Sequence, residues 1–291
     1  MKLLIEAIIL GLLSAGIYAL MASGLTLIFG VMDIINIAAG IFVILGAYLS
    51  LVLEQYFHID LFIGLLLTMP IMFLIGIAIE WAFIRRIKSN RAALSLLMTF
   101  AIAQVVEGIL TFFFSTDFKQ LYAPYLQATF PIAGIYISNF EVAAFLLSVL
   151  LLGILYLIVY RTTFGFSLRA SMQNRTAATL IGIDVDRVAM ITFGIGTALT
   201  AVGGMAYGAT QLFNPASSYD LISRLIVIIV LGGLGSLRGA LVGSISLLVI
   251  ASIVAVVWSD TWSSTVFFVL LVILLVFRPQ GLFGRVEARK Q

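Results

Sequence analysis

Long apolar runs, separated by short polar or glycine-rich interruptions, repeat from one end of the chain to the other. They approach the ~20 residues that a helix needs to cross a bilayer. They read as spans at roughly 5–30, 35–53, 61–84, 92–114, 140–160, 188–212, 221–236, 239–258 and 264–278. No segment alternates like an outer-membrane strand, so the spans are helices, which satisfy their own backbone groups in lipid. The pattern predicts an all-α integral membrane protein, a polytopic bundle of about eight or nine transmembrane helices with glycine-interrupted or re-entrant segments. The count turns on "GVMDIIN" and "GGLGSLRG". Two true loops give nine spans; a segment that only dips into the membrane gives eight or fewer. The span "TFGIGTALTAVGGMAYGA" carries Gly194, Gly196, Thr197, Gly203, Gly204 and Gly208, with Gly204 and Gly208 in G-x-x-x-G spacing. Small residues at that spacing let helix backbones approach closely. The first run has the outline of a signal peptide, but Glu6 interrupts it and it continues past residue 30, so a retained first span is expected. No stretch reads as a second domain, so residues 1–291 are expected to form one membrane domain.

Composition agrees with the pattern. The chain is 63% hydrophobic and 10% charged, against about 45–50% and about 25% in soluble domains. The net charge of +3 matters less than its placement. Arg85, Arg86, Lys88 and Arg91 share one loop; Arg161, Arg169, Arg175 and Arg187 mark another; Arg278, Arg285, Arg289 and Lys290 mark the C-terminal tail. Span counting puts all three on one side, which the positive-inside rule makes cytoplasmic. The tail, about 279–291, is then inside, and the N-terminus is outside with nine spans and inside with eight. The opposite loops carry Glu54, Asp60, Asp117, Glu141, Asp220 and Asp260. The longest of them, around Pro124 and Pro131, reads as an irregular aromatic loop, or as a lid or a docking rim for an external partner.

Candidate chemistry is sparse. The chain has no cysteine and one histidine, His58, so neither a metal-ligand set nor a catalytic dyad is expected. There is no phosphate-cradling G-x-x-x-x-G-K-[ST] and no H-E-x-x-H, so no cofactor is expected on this chain. Nothing points to nucleic acid. What remains is polar groups at membrane depth, which are costly and usually functional. Tyr18, Ser23, Thr26, Asn36, Gly40, Glu107 and Asn214 are the candidate pathway residues. Asn36 and Gly40 fall in a region expected to be broken helix, where freed backbone groups suit a zwitterion. Glu80 is expected to pair with Arg85 one turn away, and Asp33 to face either the cytoplasmic interface or the pathway.

The exception to all this apolarity is "GFSLRASMQNRTAATLIGIDVD", within a cytoplasmic loop of about 161–187. It predicts one or two short helices, capped by Ser167 and by Asn174 or Thr176. Gly182 suits a left-handed helix end and Asp184 caps the next span. Small side chains permit close docking, Leu168, Met172, Leu180 and Ile181 offer an apolar foothold, and Arg169 and Arg175 put charge at the rim. The segment reads either as an amphipathic connector resting on anionic lipid or as a knob for a cytoplasmic protein.

This region resembles the signature of the Liv-type permeases, membrane subunits of branched-chain amino-acid ATP-binding-cassette importers. Gly165, Arg169, Ala170, Asn174, Ala178, Gly182, Ile183 and Asp184 match the family's G-x-x-x-R-A-x-x-x-[DN]-x-x-x-A-x-x-x-G-I-[DN] in place. "SAGIYALMASGLTLIFGVMDIINIAAGIFVILGAYLS", "VLGGLGSLRGALVGS" and "FRPQGLFG" are similar to its opening spans, glycine block and C-terminal ending. The likeness is closer to the LivH branch than to LivM, which carries a longer N-terminus. It implies a permease subunit in a bacterial or archaeal cytoplasmic membrane. The implied partners are a second, LivM-like permease, two cytoplasmic ATPases that use ATP and magnesium, an external solute-binding protein, and lipid. Ser167, Leu168, Arg169, Ala170, Asn174, Ala178, Leu180, Gly182 and Ile183 then correspond to the loop that docks on an ATPase. Many relatives have N-x-A-H-G where this chain has Asn36-Ile37-Ala38-Ala39-Gly40, which leaves the substrate open among branched-chain and other amino acids, urea and small amides. The residues alone also admit an ion-coupled secondary transporter using Glu107. An intramembrane serine protease has no placed histidine.

Overall fold

The computed structural model describes residues 2–87, 90–132, 135–278 and 281–283. Five long helices come first: α1 (Lys2–Met32), α2 (Ala39–Phe57), α3 (Leu61–Ala82), α4 (Arg91–Phe114) and α5 (Asn139–Arg161). Two short helices follow, α6 (Thr163–Gln173) and α7 (Arg175–Leu180). The chain then returns through α8 (Val185–Thr210), α9 (Ser218–Gly232), α10 (Leu237–Val257) and α11 (Asp260–Phe277). Among the described residues eight segments are long and apolar enough to cross a membrane: α1, α2, α3 with its extension to Arg86, α4, α5, α8, Pro215–Gly232 and α10. The apolar stretch Thr265–Phe277 of α11 is shorter.

Both doubtful interruptions are true breaks. Between α1 and α2 the chain turns through Asp33–Ala38, with Asp33 at φ 56°. Thr99 on α4 holds this connection: its Oγ1 accepts from Ile37 N at 3.2 Å. Thr99 lies about two turns into α4, about 12 Å from its start, so the Ile35–Ile37 part of the break sits below the end of α4. Between α9 and α10 the turn is Gly233–Ser236, with Gly233 and Gly235 at positive φ. Ser236 caps α10 by accepting from Gly239 N at 3.1 Å. α9 itself has 15 residues, about 22 Å of helix, short of the ~30 Å hydrocarbon layer.

α8 is the most buried of the long helices and packs against α3, α2 and α1, while α10 lies along α1. Glycines set these approaches. A Cβ on Gly24 would lie 2.8 Å from Gly196 O, and one on Gly46 would lie 2.8 Å from Ala201 Cα. The Gly204/Gly208 pair cradles α2 as its spacing predicts: Gly204 faces the backbone of Val43 and Ala47, and Gly208 faces Phe213 and Ala47.

The irregular loop expected after α4 is more ordered than its prolines suggest. It contains a 3-10 turn at Pro124–Leu126 and an antiparallel hairpin of β1 (Thr129–Ile132) and β2 (Ile135–Ser138), with Phe130 opposite Ile137. Lys119 and Phe213 exchange backbone hydrogen bonds of 2.8 and 2.9 Å, tying the loop to the α8–α9 connection. Backbone pairing of this kind leaves little trace in side-chain pattern. The hairpin marks one end of the bundle and α6–α7 the other.

Candidate functional site

Two polar regions stand out, and each contains predicted residues. The first is α6–α7. Thr162, not Ser167, caps α6, its Oγ1 accepting from Gly165 N at 3.0 Å. Ser167 instead lies inside the helix and donates to Thr163 O at 3.2 Å. Asn174 caps α7 through Ala177 N at 3.0 Å, and Asp184 caps α8 through Arg187 N at 3.0 Å. Gly182 ends α7 at φ +88°, with its N–H on Thr179 O and that of Ile183 on Ala178 O, both at 3.0 Å. Four satisfied turns in a row make a rigid element.

Its outer surface differs from the expected one. Leu168 and Ala178 are buried, and Ala170 and Ile183 are half-buried, so these four hold the element onto the bundle. Arg169 turns inward: its Nη1 donates to Val159 O and its guanidinium lies 5.3 Å over the Tyr160 ring. It satisfies the end of α5 rather than presenting charge at a rim. Arg175 is also engaged, 2.8 Å from Asp186 Oδ1, whose other oxygen is 3.4 Å from Arg85 Nε. Arg85 therefore pairs with Asp186 rather than with Glu80. Glu80 is buried, with one oxygen lacking a hydrogen-bond partner among the described residues, and sits in the field of Arg85, Arg91 and Arg175. What projects outward is Leu180, Ile181 and the exposed Asn174, Thr176, Ala177 and Thr179. Of the four expected foothold side chains only Leu180 and Ile181 remain exposed, and Phe166 of α6 is outward as well, at 60%.

The second region surrounds the start of α9. Tyr219 donates to Glu107 Oε2 on α4 at 2.7 Å, and Gln104 Nε2 donates to the Tyr219 hydroxyl at 2.6 Å. Asp220 pairs with Arg224 across one turn, Oδ2 to Nε 2.9 Å. Tyr18 on α1 and Tyr207 on α8 lie within electrostatic reach of both. The Arg224 guanidinium also lies 5.3 Å over the Phe267 ring of α11. Asn214 stands just before this group: its Oδ1 accepts from Ser217 N at 3.0 Å, and its Nδ2 donates to Thr116 O at 3.4 Å.

Of the predicted pathway residues, Tyr18, Glu107 and Asn214 are thus gathered around α9. Gly40 reaches it too, since a Cβ there would lie 2.8 Å from Ile222 Cβ. Asn36 is buried in the α1–α2 break, its Oδ1 accepting from Ala38 N at 3.1 Å and its Nδ2 without a partner among the described residues. Ser23 spends its hydroxyl on Leu20 O of its own helix at 2.7 Å, and Thr26 is buried on the same helix. Neither joins the group. Asp33 is exposed at the α6–α7 end, away from the group around α9.

Arg224 is the residue that the apolar pattern hides. In "SYDLISRLIVIIVLG" the polar positions Tyr219, Asp220, Ser223 and Arg224 share one helical face, followed by an unbroken apolar run. An arginine four residues after an aspartate at the start of a short span was the available signal.

The polar group is not enclosed. Gln104, Tyr219 and Asp220 are exposed on the isolated chain. Glu107 lies about two turns, about 10 Å, from the Phe114 end of α4, so the strip is within the membrane layer. An intramembrane charge facing lipid costs about 2.5–3.5 kcal/mol on insertion scales. The strip therefore faces water or another protein chain.

The family profile described as "Branched-chain amino acid transport system / permease component" matches residues 7–275. The chain is similar to the high-affinity branched-chain amino acid transport system permease protein BraD of Pseudomonas aeruginosa, 28% identical over 98% of this chain and 97% of that protein. It is similar to the permease protein LivH of the corresponding high-affinity system of Escherichia coli, 25% identical over 94% of this chain and 93% of that protein. No solved structure matches.

Proposed function

The chain belongs to the family of permease components of branched-chain amino acid transport systems, and from that premise we propose that it is a LivH-like subunit that forms one wall of a pathway for branched-chain amino acids in an ATP-binding-cassette importer. α6–α7 face the cytoplasm; the C-terminal tail lies largely outside the described residues, and its arginines favour the same side. A second, LivM-like permease packs beside it, two cytoplasmic ATPases supply the energy, and an external binding protein delivers the solute at the hairpin end.

The observation that carries this reading is the exposed polar strip at membrane depth, Gln104–Tyr219–Glu107 with Asp220 and Arg224. A face that lipid would penalise is explained if the second permease abuts it with the pathway between the two chains. The chemistry suits the solute. Arg224 offers a bidentate donor to a carboxylate, Asp220 and Glu107 offer acceptors to an ammonium, and the rest of α9 is apolar, as an aliphatic side chain requires. An internal ion pair exchanged for the two ends of a zwitterion leaves no charge uncompensated on the way.

The test is ATP-dependent uptake of labelled leucine, isoleucine and valine into vesicles holding this chain with its partner permease, ATPases and binding protein. Tyr219→Phe with Glu107→Gln is expected to lower uptake while the complex still assembles. Uptake that persists on an ion gradient without the ATPases would replace this reading with the ion-coupled one. ATP-dependent uptake confined to urea or a small amide would move the substrate and keep the class.

A further inference from the structure

At the α6–α7 end a cleft of about 800 Å³ opens beneath the short helices. It lies among the ends of α1, α4, α5 and α10, at the level of the membrane interface. Arg91, Arg169, Arg175 and Arg238 line it, against a single acid, Asp33. Two of these arginines are committed elsewhere, Arg169 to Val159 O and Arg175 to Asp186. The other two make no hydrogen bond or ion pair among the described residues, although Glu80, Asp186 and Asp33 lie within electrostatic reach of Arg91. Arg91 has a buried Nε without a hydrogen-bond partner among the described residues. Arg238 is exposed and makes no ion pair among the described residues. An unsatisfied buried guanidinium nitrogen is costly unless something else binds it. The deeper wall is apolar, with Leu27 and Val31 from α1 and Leu237 from α10.

We propose that this cleft is a binding site for an anionic phospholipid of the cytoplasmic leaflet. Arg91 and Arg238 hold the phosphate, and the α1–α10 wall receives the first methylenes of an acyl chain. Basic clefts between helix ends at the cytoplasmic surface suit such headgroups, and guanidinium suits phosphate. A soluble phosphate would use the arginines but not the apolar wall. The occupant would wedge between α1 and α6–α7, placing lipid charge against the short helices. The proposal is independent of which solute the permease carries.

The probe is native mass spectrometry of the full chain in detergent with dioleoylphosphatidylglycerol, dioleoylphosphatidylcholine or inorganic phosphate. Phosphatidylglycerol is expected to remain bound where phosphatidylcholine does not, and millimolar phosphate is expected not to displace it. Arg91→Gln with Arg238→Gln is expected to weaken retention about thirtyfold, and Arg238→Gln alone, at an exposed position, about fivefold. Equal retention of the two lipids would overturn the proposal. So would unchanged retention in Arg238→Gln and in the double variant, or displacement by phosphate alone, which would assign the site to a soluble anion.

Discussion

Leu180 and Ile181 leave the end of α7 with 83% and 69% of their surface exposed. They point away from the bundle on an element whose turns are all capped, so a partner that pushes here moves a rigid body. Truncating both to alanine removes three carbons from each, at about 0.8 kcal/mol per buried methylene. Scaled by the exposed fractions, full cover by an ATPase groove would forfeit about 3.7 kcal/mol, and half cover about 1.8 kcal/mol. At 1.4 kcal/mol per decade, the double variant should bind the ATPase about 20- to 400-fold more weakly. Alanine is a better helix former than leucine or isoleucine, and neither side chain supports the core, so α7 is expected to keep its shape. The assay is titration of purified ATPase onto nanodiscs holding this chain and its partner permease. Leu66→Ala, 75% exposed on α3 at the end of the bundle away from α6–α7, is the control. Binding within about twofold of the parent would refute the assignment of α7 as the coupling surface, since an apolar pair at the centre of a joint cannot be lost so cheaply. The inward-facing Ala178 would be a poor probe, because a large residue there would unseat the whole element.

Two further outcomes follow from packing and charge. Gly204→Ala would put a Cβ against Val43 O, 2.6 Å from Ala47 N and 3.0 Å from Gly46 C, all backbone, so α2 and α8 must part. That overpacking costs about 1–3 kcal/mol, against about 1 kcal/mol gained in helix propensity, and should lower Tm. Gly108→Ala, where a Cβ meets nothing within 4 Å, should leave Tm unchanged or higher; equal shifts in the two variants would contradict the packing argument. Asp186→Asn should remove the pairs to Arg85 and Arg175, whose members are 34–46% exposed. Such screened pairs are worth about 0–1 kcal/mol each. Tm should therefore move little while ATP-driven uptake falls, because α7 loses its tie to α3 and α8. A fall in Tm that accounts for the whole loss of uptake would leave Asp186 with a structural role only.

The sequence by itself determined the class and the inventory. Its apolar runs fixed helices of membrane length, because lipid leaves a backbone no alternative to satisfying itself. Its glycines foretold where helices touch, and Gly204/Gly208 do so. Asn174, Gly182 and Asp184 were legible as helix ends, since caps act within a few residues and need no tertiary context. The tertiary structure decided direction. α6 is amphipathic in either orientation, and only its seating against α5 and α8 shows that Leu168 and Arg169 face inward while Leu180 and Ile181 face out. Asp186 rather than Glu80 takes Arg85, because a chain turn brings α7 and α8 to the end of α3. Glu107, Tyr18 and Asn214 are scattered in sequence and meet only where α9 starts. Arg224, within reach of Tyr18 and Tyr207, sits in a short helix whose apolar run masks it. A charge inside a membrane is tolerated because of what surrounds it, and for Arg224 those surroundings come from α1, α8 and α11.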